Sequence, residues 1–303
     1  MDSTRIRIVC VSDTHNRRPG EGFTLPKGDV LIHAGDLTNQ GSFKELKKAV
    51  DWISKADFSA RIVVAGNHDL SLDPGYTLKH ESGWKIVPAN VEACRQLLLT
   101  NPEIVYLQHT EALVHLPEKG VSLRVFGSPY SPSRGQQNWA FQYSEGDASM
   151  IWSDIPSALD VLVTHTPPAG YLDESQHWTE GGCPTLATVL ERARPMLHIC
   201  GHCHEGRGAL VVDWQAVNNG DTSTATLKWH DPGAGGSNRR QSMLDLTGRS
   251  PGGFTVTPGK TAIVNSSVMS RSHSRNGAAP SCNKPMVVDI EVSNDSAPSS
   301  TAA

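Results

Sequence analysis

The sequence predicts an α/β fold whose short buried strands carry polar side chains at their exits, and three observations predict it. Apolar runs at 6–11, 29–34, 61–65, 159–163 and 196–200 are continuous rather than alternating, the pattern of strands covered on both faces. Segments of helical period lie between some of them. Each run ends in acids, amides or imidazoles: Asp13 and His15, Asp36, Asn67 and His68, His165, and His202 and His204. In an α/β sheet ligands collect beyond the carboxyl ends of the strands, so five such exits in one chain point to a single polynuclear site.

The first run leads into Ser12-Asp13-Thr14-His15, which places a carboxylate and an imidazole at close range, a pair suited to a divalent first-row metal. The second ends in Gly35-Asp36-Leu37. Beyond it, Ser42-Phe43-Lys44-Glu45 is a capping box, and Phe43, Leu46, Val50 and Ile53 recur at helical spacing, predicting a helix that runs to Ala56. The third run closes in Gly66-Asn67-His68-Asp69, where the glycine permits a tight turn. An irregular stretch over 70–90 precedes a helix at 91–99 and strands at 104–107, 112–116 and 122–126, the last stopped by Pro129 and Pro132. The polar loop 133–142, with Arg134, Asn138 and Trp139, reads either as a surface loop or as one wall of a pocket.

The run at 159–163 exits into Thr164-His165-Thr166-Pro167-Pro168, whose stiff Pro-Pro turn fixes the backbone of the histidine. A helix at 185–193 stops at Pro195, and strands follow at 196–200, 209–213 and 225–229. Residues 231–260, rich in Gly, Ser, Pro and Arg and without periodicity, predict a flexible insertion. Gly253 to Thr261 nearly spells a P-loop, but the first glycine is one residue too far from Gly259-Lys260-Thr261 and no strand precedes it. Strands return at 261–264 and 286–292 around a polar loop at 270–284, and a disordered tail covers 293–303. The expectation is a single domain over 1–292.

A net charge of −4 with acids and bases intermixed leaves no general nucleic-acid footprint. No apolar run approaches the ~18 residues of a membrane span, and no signal peptide is evident, which predicts an intracellular, cytoplasmic protein without a membrane partner. Six cysteines without framework spacing in a chain of 303 residues read as reduced thiols. The stretch Cys200-Gly201-His202-Cys203-His204 has a rival reading as a dithiol redox motif, which needs a following helix N-terminus to lower the first thiol's pKa; Glu205-Gly206-Arg207-Gly208 is poor helix sequence.

Asp-x-His, Gly-Asp, Gly-Asn-His-Asp, Thr-His and Gly-His-x-His, in this order, resemble the signature of calcineurin-like metallophosphoesterases. The wording Leu-Ile-His-Ala-Gly-Asp at 31–36, Gly-Ser-Pro-Tyr at 127–130, Thr-His-Thr-Pro-Pro at 164–168 and Cys-Gly-His-Cys-His-Glu-Gly at 200–206 looks like the metallophosphoesterase-domain-containing branch. The resemblance implies a four-layer α/β/β/α sandwich with a dinuclear metal site at the carboxyl ends of its strands. It implies Asp13, His15 and His204 on one metal, Asn67, His165 and His202 on the other, and Asp36 bridging both; a carboxylate has two oxygens and can neutralise two ions at the ~3.5–4 Å separation of two-metal hydrolases. It makes His68 the acid for the leaving oxygen and Asp69 the residue that orients it. The metals implied are two divalent ions, Mn²⁺ first, with Fe, Zn or Co equally served by N and O ligands.

The expected reaction is hydrolysis of phosphoesters, as a phosphodiesterase acting on cyclic nucleotides or similar small diesters. A phosphomonoesterase with the same site and a nucleotide-binding protein with vestigial catalysis are the alternatives. Arg17, Arg18 and Arg207, close in sequence to the ligands, are candidate contacts to a substrate phosphate. His33 and His198, inside strands, read as hydrogen-bonded core histidines rather than ligands. His109, His115, His177, His230 and His273 read as surface residues, Trp139 and Trp178 as packing residues with stacking on a base as the alternative, and Cys203 as pointing away from the metals.

Overall fold

The computed structural model describes residues 3–79, 88–135, 139–179, 181–218, 225–234, 239–249, 253–271 and 281–294. In chain order the strands are β1 (Ser3–Val11), β2 (Val30–Ala34), β3 (Ala60–Val64), β4 (Val105–Leu107), β5 (Thr110–Leu116), β6 (Val121–Ser128), the two-residue β7 (Ser131–Pro132) and β8 (Gln142–Tyr143), β9 (Val161–Thr164), β10 (Leu197–Cys200), β11 (Gly208–Asp213), β12 (Thr226–Lys228), β13 (Ser242–Asp245), β14 (Lys260–Asn265) and β15 (Met286–Ser293). The helices are α1 (Phe43–Ser54), α2 (Pro74–Lys79), α3 (Pro88–Leu99), α4 (Ala148–Trp152), α5 (Pro184–Ala193) and α6 (Trp214–Asn218).

Two mixed sheets result, in the orders β13-β15-β1-β2-β3-β4 and β12-β11-β14-β10-β9-β6-β5. Alternation along the strands assigns the layers. Ile6, Ile8 and Cys10 of β1 and Ile32 of β2 meet Val161 and Val163 of β9 and Leu197 and Ile199 of β10 in one apolar cluster between the sheets. Val9, Val11, Leu31 and Val63 point the other way, against Leu46, Val50 and Ile53 of α1 and Leu98 of α3. Leu162, Leu210 and Ile263 back onto Trp152 of α4 and Leu186 and Leu190 of α5. The architecture is therefore helix, sheet, sheet, helix, the four layers expected.

The capping box at α1 is formed: the Ser42 side chain accepts from the Glu45 N–H, and the Glu45 carboxylate accepts from the Ser42 N–H at 3.2 Å. The expected flexible insertion over 231–260 differs. Ser242–Asp245 pair in parallel with β15 and close the edge of the first sheet, with Leu244 and Leu246 buried in the inter-sheet cluster. Four residues give too little alternation to be visible within a Gly/Ser-rich stretch. Of the polar loop at 270–284, residues 272–280 lie outside the described ones; β15 reaches Ser293, and 295–303 also lie outside. No helix among the described residues is long and apolar enough to cross a membrane.

Candidate metal centre

The parallel strands β1, β2 and β3 of one sheet and β9 and β10 of the other end against each other, and the turn after each supplies side chains to one cluster. The turns are unusual. Asp13, His15, Asp36 and His202 all have left-handed backbones, with φ of 52°, 42°, 55° and 65°. Such a conformation costs a non-glycine residue ~1–3 kcal/mol and persists where the surroundings over-determine it. Here they do: the Asp13 N–H donates to the Gly35 carbonyl at 2.9 Å, the His15 N–H to Asp36 at 3.1 Å, and the Gly201 N–H to His165 at 3.0 Å, so the exits are laced to one another. Gly66 and Gly201 permit the close approach. A Cβ on Gly66 would run into the Asp36 amide, its carboxylate and the His165 ring, and one on Gly201 into Ser12 and the Asp13 carboxylate.

The donor atoms converge. His204 Nε2 is 3.4 Å from Asp13 Oδ1 and 3.4 Å from His15 Nε2; His15 Nε2 is 3.7 Å from Asp36 Oδ2; His165 Nε2 is 3.4 Å from Asp36 Oδ1 and 2.9 Å from Asn67 Oδ1. The His165 and His202 rings lie 5.0 Å apart. Asp13, His15 and His204 form one group whose ligand atoms lie within 4.8 Å of one another; Asp13, Asp36 and His165 form a second, and His15, Asp36 and His68 a third. Nitrogen and oxygen donors packed this closely fit divalent cations, and Asp36 belongs to two of the groups. All seven sequence-predicted ligands therefore come together.

Electrostatics agree with an anionic pair embedded in imidazoles. Against the penalty of burial, His204 and His165 hold the Asp13 carboxyl below the usual carboxylate range, and His165, His68 and His15 hold Asp36 well below it. The Asp36 and Asp13 charges overcome burial to raise His165 to about 9. Burial and neighbouring imidazoles press His15 and His202 down to about 3, leaving them neutral and available as donors.

His68 stands beside the cluster, its ring 4.7 Å from that of His15. Its orienting partner is the Asn39 carbonyl, which lies 2.7 Å from Nδ1, and not Asp69. The Asp69 carboxylate instead accepts from the Gly66, Leu37 and Thr38 amides at 2.8, 3.2 and 3.0 Å and from the Thr38 hydroxyl at 2.8 Å. It holds the turn that carries Asn67 and His68. Burial and the Asp36 charge raise its carboxyl to about 7.

The three candidate arginines do not face the cluster. A cleft of about 220 Å³ opens onto it, lined by His15, Asp36, Asn67, His68, His202 and His204 together with Pro132, Trp139, Gln142, His177 and Trp178. Arg207 turns away, donating to Asp231 and the Lys284 carbonyl at 2.9 Å each and to Ser242 at 3.0 Å; Arg18 pairs with Glu21 at 3.1 Å, and Arg17 donates to the Glu21 carbonyl at 3.3 Å. Proximity in sequence placed them near the ligands, but the turns that aim the ligands inward aim their neighbours outward.

His177, exposed as expected, and Trp178, read as a packing residue with stacking on a base as the alternative, both line the cleft, and no motif around them signals it. Trp139 and Gln142 bear out the reading of loop 133–142 as a pocket wall; Asn138 lies outside the described residues. His33 and His198 are fully buried core histidines, 2.9 Å from the Thr14 hydroxyl and 2.8 Å from that of Thr164. Burial raises the Cys200 and Cys203 thiols well above their ordinary value, and only a three-residue turn follows Cys203, so the requirements of a reactive dithiol are not met.

A profile of the calcineurin-like phosphoesterases matches residues 6–206. A human metallophosphoesterase domain-containing protein 1 is 40% identical over 237 residues, covering 75% of this chain and 69% of that protein. A UPF0046 protein of Caenorhabditis elegans is 36% identical over 236 residues, covering 72% and 68%. A probable rhamnogalacturonate lyase C of Emericella nidulans is 41% identical over 211 residues; the match covers 69% of this chain but only 18% of that protein.

Proposed function

The chain belongs to the calcineurin-like phosphoesterase family, metal-dependent hydrolases of phosphoesters, and on that premise we propose that it is a two-metal phosphodiesterase acting on small diesters of the cyclic-nucleotide kind. Asp13, His15 and His204 would hold one cation, Asn67, His165 and His202 the other, and Asp36 both. When bound, two divalent ions supply Lewis-acid stabilisation of charge on phosphoryl oxygens and acidify a water nucleophile. The chain's own residues do the rest. His68 donates Nδ1–H to the Asn39 carbonyl, which can only accept, so Nε2 is the nitrogen that exchanges a proton with the leaving oxygen. Asp69 fixes the turn that sets this distance.

The observation that carries the diester preference is the lining of the cleft. Among the described residues it contains no lysine or arginine. A phosphomonoester approaches as a dianion at neutral pH and gains from an additional cation, whereas a diester brings one negative charge and is served by the metals alone. The test is hydrolysis of bis-p-nitrophenyl phosphate and of p-nitrophenyl phosphate by protein stripped of metal and reloaded with Mn²⁺, beside Asp36→Asn. Faster metal-dependent turnover of the diester, lost in the variant, supports the reading. Faster turnover of the monoester removes the diester preference, and no turnover with metal bound removes the enzyme.

A further inference from the structure

Trp178 is a large apolar side chain standing where the chemistry is polar. It joins none of the three apolar clusters formed by the described residues. Its ring instead lies over His202, with centroids 5.3 Å apart and planes 19° apart, on the wall of the cleft. Trp139 forms a second wall from a separate loop, its ring centroid 4.0 Å from that of His68. Both loops are tethered. The Ala140 N–H donates to the Asn67 carbonyl at 3.0 Å, the Gln176 N–H to the Glu205 carboxylate at 3.3 Å, and Arg134 reaches from the first loop to the Gly182 carbonyl beside the second at 2.6 Å.

An indole left partly in water above a ligand cluster loses the gain from burial unless something covers its face. With no lysine or arginine in the described lining, recognition beyond the phosphoryl group falls to these rings and to Gln142 and His177. We propose that Trp178, with Trp139 as second wall, determines specificity at this site by stacking on a flat ring carried by the substrate, so that aryl and heteroaryl phosphoesters are selected over aliphatic ones. Stacking tolerates any ring, because every aromatic has a π face, and selects against chains that have none.

The inference rests on the phosphoesterase reading, and binding separates the two. The Mn²⁺-loaded protein is titrated calorimetrically with phenylphosphonate and with methylphosphonate, which share the anion and differ only in the ring. Wild type is expected to bind the phenyl compound about tenfold more tightly. Trp178→Ala should bring the two within about twofold, and Trp178→Phe should keep most of the difference. Equal binding by wild type, or a preference that survives in both Trp178→Ala and Trp139→Ala, overturns the proposal. In parallel, p-nitrophenyl phenyl phosphate and p-nitrophenyl methyl phosphate, which release the same chromophore and differ in whether the group retained on phosphorus is a ring, report in kcat/KM the preference for a ring at that retained position. Loss of turnover on both with the binding preference intact removes the phosphodiesterase and leaves the stacking site standing.

Discussion

At the scale of single residues, Asp13, His15, Asp36 and His202 are held in a conformation that side chains avoid, and glycines make room for the cluster. Gly66 shows the dependence most directly, since a methyl there meets the Asp36 amide and carboxylate and the His165 ring at once. Gly66→Ala is expected to lower stability by ~1–3 kcal/mol through overpacking. It should also lower turnover at least about a hundredfold, because a displacement of ~1 Å in a reacting constellation costs that much. Urea denaturation and steady-state kinetics check the two halves, and wild-type kinetics would show that the cluster tolerates the shift. His68→Asn removes the exchangeable proton while keeping an amide donor at the Nδ1 position for Asn39; kcat should fall ~10²–10⁴-fold with metal content unchanged by elemental analysis, and an unchanged kcat would end its role as acid. The ligands were readable because a polar residue directly after a buried apolar run stands out. The role of Asp69 was not: the family resemblance made it the partner of His68, yet neighbouring side chains on a tight turn diverge, and this one closed on backbone amides.

At the scale of elements, legibility followed length and period. The helix at α1 was plain because four apolar positions repeat and a capping box precedes them; Ser42→Ala should cost ~1 kcal/mol in urea denaturation and leave kinetics alone. The strand β13 was invisible, being four residues in a stretch whose composition says loop, and it owes its place to β15 and to Arg207. That arginine, near the ligands in sequence, ties Asp231, Ser242 and the Lys284 carbonyl together and lines a separate cavity with Asp231 and Lys284. Arg207→Gln is therefore expected to cost ~1.5–3 kcal/mol of stability, the worth of a buried hydrogen bond to a charged group, with KM for bis-p-nitrophenyl phosphate unmoved. A raised KM at unchanged stability would return Arg207 to the substrate. The second cleft loop was illegible for a related reason, since His177 and Trp178 reach the site through the path of their loop rather than through any strand exit.

At the scale of the whole molecule, the two sheets repeat one arrangement behind the cluster. On the outer face of each, a fully buried histidine holds a threonine beside a ligand: His33 holds Thr14, between Asp13 and His15, and His198 holds Thr164, next to His165. The Thr164 hydroxyl gives its one proton to the Thr166 carbonyl at 2.6 Å, so it must accept from His198, whose Nε2 carries the proton and whose Nδ1 has no hydrogen-bond partner among the described residues. Burial depresses His198 to about 3 and, with it, His33 to about 4. Both are neutral in the folded protein, while in the unfolded chain they titrate near the ordinary value of 6.5. Above that pH neither state binds the proton and the full stability is present. As pH falls below it the unfolded chain takes up protons that the folded protein refuses, and stability drops by up to about 1.4 kcal/mol per pH unit for each histidine until the folded pKa is reached. His198→Gln keeps a donor for Thr164 and removes the titration. Its stability, followed by urea denaturation from pH 7 to pH ~4, should therefore fall less steeply than wild type in the same buffers, and the gap between the curves should be confined to pH below the unfolded pKa. Parallel curves would show that His198 takes up a proton in the folded protein as readily as in the unfolded chain, which would put a second proton on Nδ1 and leave the Nε2–H bond to Thr164 in place.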